Sequence, residues 1–85
     1  MGVSSRTMGK FNRLLAEKQE LLQYMENIQR EYNIVTDQYM EGTTGEESIG
    51  KYQNKLMRMY NKHKRRVEAI DTYLYRVRSK NNIPL

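Results

Sequence analysis

The residues with the clearest chemical potential are basic side chains that recur along the C-terminal half of the chain. Their spacing alternates between four and three residues, so in a helix they line one face. They are Lys51, Lys55, Arg58, Lys62 and Arg65. Such a row can follow a phosphate backbone and bind it without sequence preference. The simpler interpretation is a solvated face, and an acidic protein could use the same residues.

Catalysis and metal binding find no support in the residue types. The chain of 85 residues has no cysteine and one histidine, His63, which excludes a thiol nucleophile and a zinc site of Cys and His ligands. No carboxylate pair in an apolar setting, Gly-rich phosphate loop or Ser/His/Asp arrangement is present. We therefore predict that the protein is not an enzyme and uses no cofactor, metal or small-molecule substrate.

Two long runs of apolar residues must position the basic row. The runs cover residues 8–41 and 46–79, and each follows a heptad pattern typical of a coiled coil. Between them lies a Gly/Thr-rich turn at 42–45, where Thr44 and Glu47 form a capping box that starts the second helix. The sequence thus predicts an all-α protein, a long antiparallel two-helix hairpin that forms a single domain.

Short segments flank the predicted hairpin. Residues 1–7 are predicted to be a flexible arm, in which Ser4, Ser5 or Thr7 is available as the helix N-cap. Residues 80–85 are predicted to fray because Pro84 blocks any continuation of the helix.

Folding the chain at the turn brings the a and d positions of both runs together. The predicted layers are Tyr39–Ile49, Val35–Tyr52, Tyr32–Leu56, Ile28–Met59, Met25–His63, Leu21–Arg66, Lys18–Ile70, Leu14–Tyr73 and Phe11–Val77. Lys18, His63 and Arg66 make three neighbouring layers polar. Long basic side chains that reach out of a narrow seam explain this, and a polar device that fixes register or partner choice is the alternative.

A second apolar row occupies the e positions in the half of the hairpin far from the turn. It consists of Leu15, Leu22, Tyr60, Val67 and Leu74. Two helices that pack through a and d leave such a row uncovered, and an uncovered row is an association surface. We predict that it binds a second copy, giving a four-helix bundle, or the helices of a partner. The alternative is a wider, one-sided core with the helices rotated.

A cysteine-free helical hairpin of this size resembles the WXG100 family of type VII secretion partners. The Trp-x-Gly turn of that family is replaced here by Tyr39-Met40-Glu41-Gly42, and no Tyr-x-x-x-Asp/Glu signal follows the second helix. The resemblance implies pairing into four-helix bundles and export without a signal peptide. It transfers no functional residues to this chain.

These observations lead to a prediction about function. The net charge of +5 permits an anionic partner, and no apolar run reaches the roughly 20 residues of a membrane span. We predict a cytoplasmic protein–protein interaction module, an adaptor, targeting partner or inhibitor that acts as a homodimer or hetero-complex. The alternative is a basic nucleic-acid-binding module, and an anionic membrane surface is the least favoured partner.

Overall fold

The structure, a computed structural model, describes residues 4–40 and 46–81. Two α-helices, α1 (Ser5–Met40) and α2 (Glu46–Asn81), pack against each other along their length in a hairpin of 62 × 17 × 15 Å. The predicted all-α hairpin is confirmed, and the described residues include no strand. The predicted turn at 42–45, and with it the capping box, lies outside the described residues.

The start of α1 differs from the prediction. The helix begins at Ser5, inside the segment 1–7 that was expected to be a flexible arm, because Ser4 caps it. The backbone N–H of Thr7 donates a hydrogen bond of 3.2 Å to Ser4 Oγ, which satisfies one of the free donors at the helix N-terminus. At the other end, α2 continues to Asn81, beyond the predicted end at residue 79.

The seam of α1 uses the predicted a and d positions. Phe11, Met25, Ile28 and Val35 are its buried residues. Phe11 lies in a cluster against which Val77 packs, as the predicted Phe11–Val77 layer requires. The exception near the turn is Tyr39, a predicted seam residue that is 41% exposed. Elsewhere the periodicity of α1 identified the correct face of this helix.

The seam of α2 is rotated relative to the prediction. The buried residues of α2 are Ile49, Leu56, Val67, Ile70 and Leu74. They occupy a and e positions, whereas the prediction used a and d. The predicted seam residues Tyr52 and Met59 are 40% and 41% exposed, and Arg66 is exposed as well. The prediction that these three residues are buried in the seam is wrong, although Tyr52 still lines a groove together with Val35.

The rotation of α2 has a physical cause in the half far from the turn. A seam through d would bury the guanidinium of Arg66, whereas a seam through e buries Val67. An aliphatic side chain gains about 1.5–3 kcal/mol on full burial, while a buried charge costs several kcal/mol per ion. Near the turn the same rotation brings in Gln53, whose Nε2 donates a 2.8 Å hydrogen bond to Thr36 Oγ1.

Candidate interaction surfaces

The rotation of α2 gives the hairpin two unlike sides, one on each flank of the seam. The tyrosine side joins the g positions of α1 to the d positions of α2. It comprises Lys10, Glu17, Tyr24, Glu31, Tyr52, Met59, Arg66 and Tyr73. The leucine side joins the e positions of α1 to the b positions of α2. It comprises Leu15, Leu22, Gln29, Thr36, Met57, Lys64, Asp71 and Arg78, with Tyr60 and Tyr75 at its edges.

An ion pair closes the tyrosine side at its centre. Arg66 donates from Nε and Nη2 to the two carboxylate oxygens of Glu17, at 3.0 and 2.9 Å. Because both hydrogen bonds require the guanidinium and the carboxylate to lie in one plane, this bidentate pair favours one rotation of α2 relative to α1 in addition to attracting the two helices. The hydrogen bond from Arg66 lowers the pKa of Glu17 below its ordinary value, and the same bond raises the pKa of Arg66.

Further contacts continue along the tyrosine side in both directions. The hydroxyl of Tyr52 donates to Glu31 Oε1 at 3.1 Å, and this bond raises the pKa of Tyr52. At the open end of the hairpin, Lys10 Nζ lies 4.6 Å from the centroid of the Tyr73 ring. The aromatic surface on this side is therefore already engaged by charged groups of the same chain.

The three polar residues of the predicted seam all reach its edges. Lys18 Nζ lies 2.7 Å from Asp71 Oδ1, Arg66 pairs with Glu17, and His63 lies beside Tyr24 with the ring centroids 6.0 Å apart. No polar or charged side chain that the structure describes is buried. The arrangement matches the interpretation that the long basic side chains reach out of the seam.

The predicted apolar row is divided by the structure. Val67 and Leu74 are each 8% exposed, so their predicted exposure is wrong, and the alternative of a one-sided core describes them. Leu15 and Tyr60 are half-buried, and Leu22 remains 43% exposed. Whether these residues bind a partner stays a prediction, but the surface available for it has moved to the leucine side.

Two open grooves follow the leucine side. One has a volume of about 470 Å³ and is lined by Leu22, Met25, Gln29 and Tyr60 among others. The second, of about 490 Å³, lies nearer the open end between Leu15 and Tyr75. Sequence reasoning did not assign the exposed Met57 and Tyr75 to this surface because the b positions of α2 border the seam only when the seam is placed at a and e.

The basic row lies on the outer face of α2, away from the seam. All five predicted residues are exposed, and Arg76 extends the row toward the C-terminus. The c and g positions of α2 hold six basic residues and no acidic residue from 48 to 79. Lys55, Arg58, Lys62 and Arg65 have no ion-pair partner within the described part of the chain.

Other kinds of site receive no support from the described residues. Within residues 4–40 and 46–81, no cluster of His, Asp and Glu has the geometry to hold a metal ion. Neither described helix has a stretch long and apolar enough to cross a membrane. Comparisons with protein-family models, curated proteins and solved structures found no match, so the resemblance to the WXG100 family stays a prediction.

Proposed function

We propose that the chain is a non-enzymatic protein–protein interaction module that binds through its leucine side. The supporting observation is the asymmetry between the two flanks of the seam. Charged groups contact Tyr52 and Tyr73 on the tyrosine side, and the groove there measures about 240 Å³. On the leucine side, which has the ion pair Lys18–Asp71, Leu22 is 43% exposed and lines one of two larger grooves of about 470 and 490 Å³. An adaptor, a targeting partner and an inhibitor would each use a surface of this kind.

The surface area of the hairpin supports association. The chain exposes 6763 Å², whereas a compact monomer of 10.2 kDa would expose about 5,300 Å². The surplus exceeds the roughly 800 Å² that each partner buries in a standard interface. Pairing of two hairpins into a four-helix bundle would bury an area of this size, and we take a second copy as the partner.

The experiment measures the molar mass by sedimentation equilibrium over a range of protein concentrations. Leu22→Asp is compared with Ile34→Asp, since both residues are aliphatic, lie on α1 and are similarly exposed, at 43% and 45%. Ile34 lies on the outer face of α1, away from the leucine side. We expect a dimer for the wild type and for Ile34→Asp, and a helical monomer for Leu22→Asp.

Two results would oppose this proposal. If the wild type is a monomer at every concentration, self-association is excluded. A dimer that Leu22→Asp leaves intact would show that association uses another surface. Repeating the measurement at high salt separates the apolar contribution from the electrostatic one, because apolar burial is not screened.

A second candidate function is nucleic-acid binding through the outer face of α2. Its support is the set of exposed basic residues without acidic neighbours at the c and g positions. Residues 51–65 span about 21 Å of helix, enough for several backbone phosphates. Binding of labelled single- and double-stranded DNA should fall steeply with salt, with a logarithmic slope of roughly 0.7–0.9 for each phosphate contact.

The matched test is a charge reversal on each helix. Lys55, Arg58 and Lys62 are changed to Glu in one variant, and Arg6, Arg13 and Arg30 in the other, so both lose the same net charge. Binding that fails only in the first variant assigns the site to α2. Equal loss in both shows non-specific attraction by net charge, and absence of binding at low salt removes this candidate.

A further inference from the structure

We infer that two copies pair about a two-fold axis parallel to the helices, so that α1 of each copy packs on α2 of the other and both turns lie at the same end. This inference rests on the proposed function, because it takes the leucine side as the interface. A closed, symmetric dimer must use the same patch on both copies. Two axis directions can bring the leucine sides face to face, and the distribution of residues distinguishes them.

On α1 the apolar residues of the leucine side are confined to one half. Toward the open end α1 contributes Leu15 and Leu22, whereas toward the turn it contributes Gln29 and Thr36; on α2 the exposed Met57 lies toward the turn. An axis parallel to the helices keeps each residue at its own level, so the apolar half of α1 in one copy lies at the level of the same half in the other copy. A perpendicular axis through the middle of the hairpin would lay each apolar half on a polar half.

Displacing a perpendicular axis toward the apolar half does not solve this problem. The apolar halves would then overlap, but the two turn-proximal ends would extend beyond the dimer without a partner. The hairpin is 62 Å long and 17 × 15 Å in cross-section, so the surface that it exposes beyond that of a compact monomer is spread along its whole length. Only the parallel axis covers the leucine side from end to end and also keeps the leucines of α1 in the two copies at the same level.

Net charge also separates the two arrangements. Residues 46–80 carry ten basic and four acidic residues, whereas α1 carries five of each. A perpendicular axis places α2 against the partner's α2, which brings the two strongly basic helices together. The parallel axis places each basic helix against a neutral one, so like-charge repulsion across the interface is reduced.

A specific pair of charges supports the parallel axis. Tyr24 contacts His63 across the seam, so Glu26 and Lys64 lie within about one helical turn of each other along the hairpin. Lys64 belongs to the leucine side, and Glu26 lines one of its grooves, where it pairs with Arg30 of its own helix at 3.3 Å. Both Glu26 and Lys64 are exposed. Lys64 has no ion-pair partner among the described residues. With the parallel axis, Glu26 of each copy lies at the level of the partner's Lys64, and the pair occurs twice.

The test is a distance measurement between identical sites of the two copies. Because the chain has no cysteine, Ser48→Cys and Ser79→Cys each introduce one attachment point for a nitroxide spin label. Both serines are exposed, one near each end of α2, so neither change disturbs the seam. Pulsed electron–electron double resonance then reports the label separation in the intact dimer.

The two arrangements predict different combinations of the two label separations. The parallel axis gives distances below about 35 Å at both sites, since only the width of a four-helix bundle separates the labels. A perpendicular axis, centred or displaced, gives a distance above about 40 Å at one site at least, because Ser48 and Ser79 are 31 residues apart in a helix with a 1.5 Å rise per residue. Excess unlabelled chain should abolish the signal and thereby prove that it is intermolecular.

Each outcome decides a different claim. Short distances at both sites support the parallel axis. A long distance at either site overturns it but leaves the leucine side as a dimer interface. A monomeric mass at every concentration, together with no intermolecular coupling, overturns the proposed function together with this inference.

Discussion

The position of the seam on α2 can be tested with two substitutions of similar size, Leu74→Ala and Met59→Ala. Leu74 is 8% exposed in the seam, whereas Met59 is 41% exposed on the tyrosine side. Leucine and methionine have nearly equal helix propensities, so the backbone contribution of the change to alanine cancels in the comparison. The difference in stability then reports burial alone.

The magnitude follows from what each substitution removes. Leu74→Ala deletes three carbons from a site that is almost fully shielded, which costs about 2.2 kcal/mol at roughly 0.8 kcal/mol per buried CH₂. The unfilled volume adds to this, giving a total of about 2–4 kcal/mol. For Met59→Ala the cost is about 1 kcal/mol or less, because much of that side chain stays in water.

Thermal unfolding followed by far-ultraviolet circular dichroism measures both changes, at one protein concentration so that association contributes equally. A domain of this size loses about 4–8 °C in Tm per kcal/mol, so Leu74→Ala should melt roughly 5–25 °C below Met59→Ala. Equal Tm values, or a larger loss in Met59→Ala, would refute the rotated seam. Val67 and Leu74 would then form the uncovered row that the heptad pattern first predicted.

Four further substitutions test the surfaces beside the seam. Leu22→Ala should weaken the free energy of association by about 0.6–1.3 kcal/mol per copy, and by twice that in a symmetric dimer. The Kd from sedimentation equilibrium should therefore rise roughly ten- to eighty-fold. An unchanged Kd contradicts the leucine side as the interface. Glu17→Gln should lower Tm near neutral pH, because the pKa of Glu17 is lowered by Arg66 and its contribution is present above the ordinary value of 4.5. That loss should vanish as the pH falls through the lowered pKa, and a loss that is independent of pH contradicts an ionic origin. Glu26→Lys and Lys64→Glu should each weaken the dimer about two- to thirty-fold, since an exposed pair contributes roughly 0.2–1 kcal/mol and occurs twice. Combining the two changes should restore the Kd, and additive losses would contradict the predicted contact.

The helical hairpin was predictable because its signals are local. Heptad spacing marks both helices, and Ser4 was among the candidate caps that the sequence offered for α1. The extra turn at the start of α1 was missed because several residues could cap the helix. Hydrogen-bond geometry, which the sequence does not contain, decided among them.

The seam of α2 was not predictable from periodicity alone. Two heptad assignments share the a positions and differ by one residue, d or e. Near the turn Tyr52 and Met59 favour d, whereas Val67 and Leu74 favour e in the other half. A straight helix satisfies only one of them over its length, and the cost of burying the arginine at a d position decides between them.

The candidate surfaces followed the same division. The exposed basic row of α2 was predictable because it lies opposite both possible seams. The grooves of the leucine side were not predictable, because their lining depends on which apolar side chains are buried in the seam. Leu22 remained exposed under either assignment, whereas Val67 did not.

The elongation of the hairpin has a consequence for scattering in solution. Its radius of gyration is 18.4 Å, whereas a globular chain of 85 residues has about 12 Å. Side-by-side pairing at a helix spacing of about 10 Å doubles the mass but raises this radius only to about 19 Å. The forward scattering intensity of one dimer particle would be four times that of one monomer, while the initial slope of the scattering curve, which reports the radius of gyration, would hardly change. An end-to-end dimer would steepen that slope sharply.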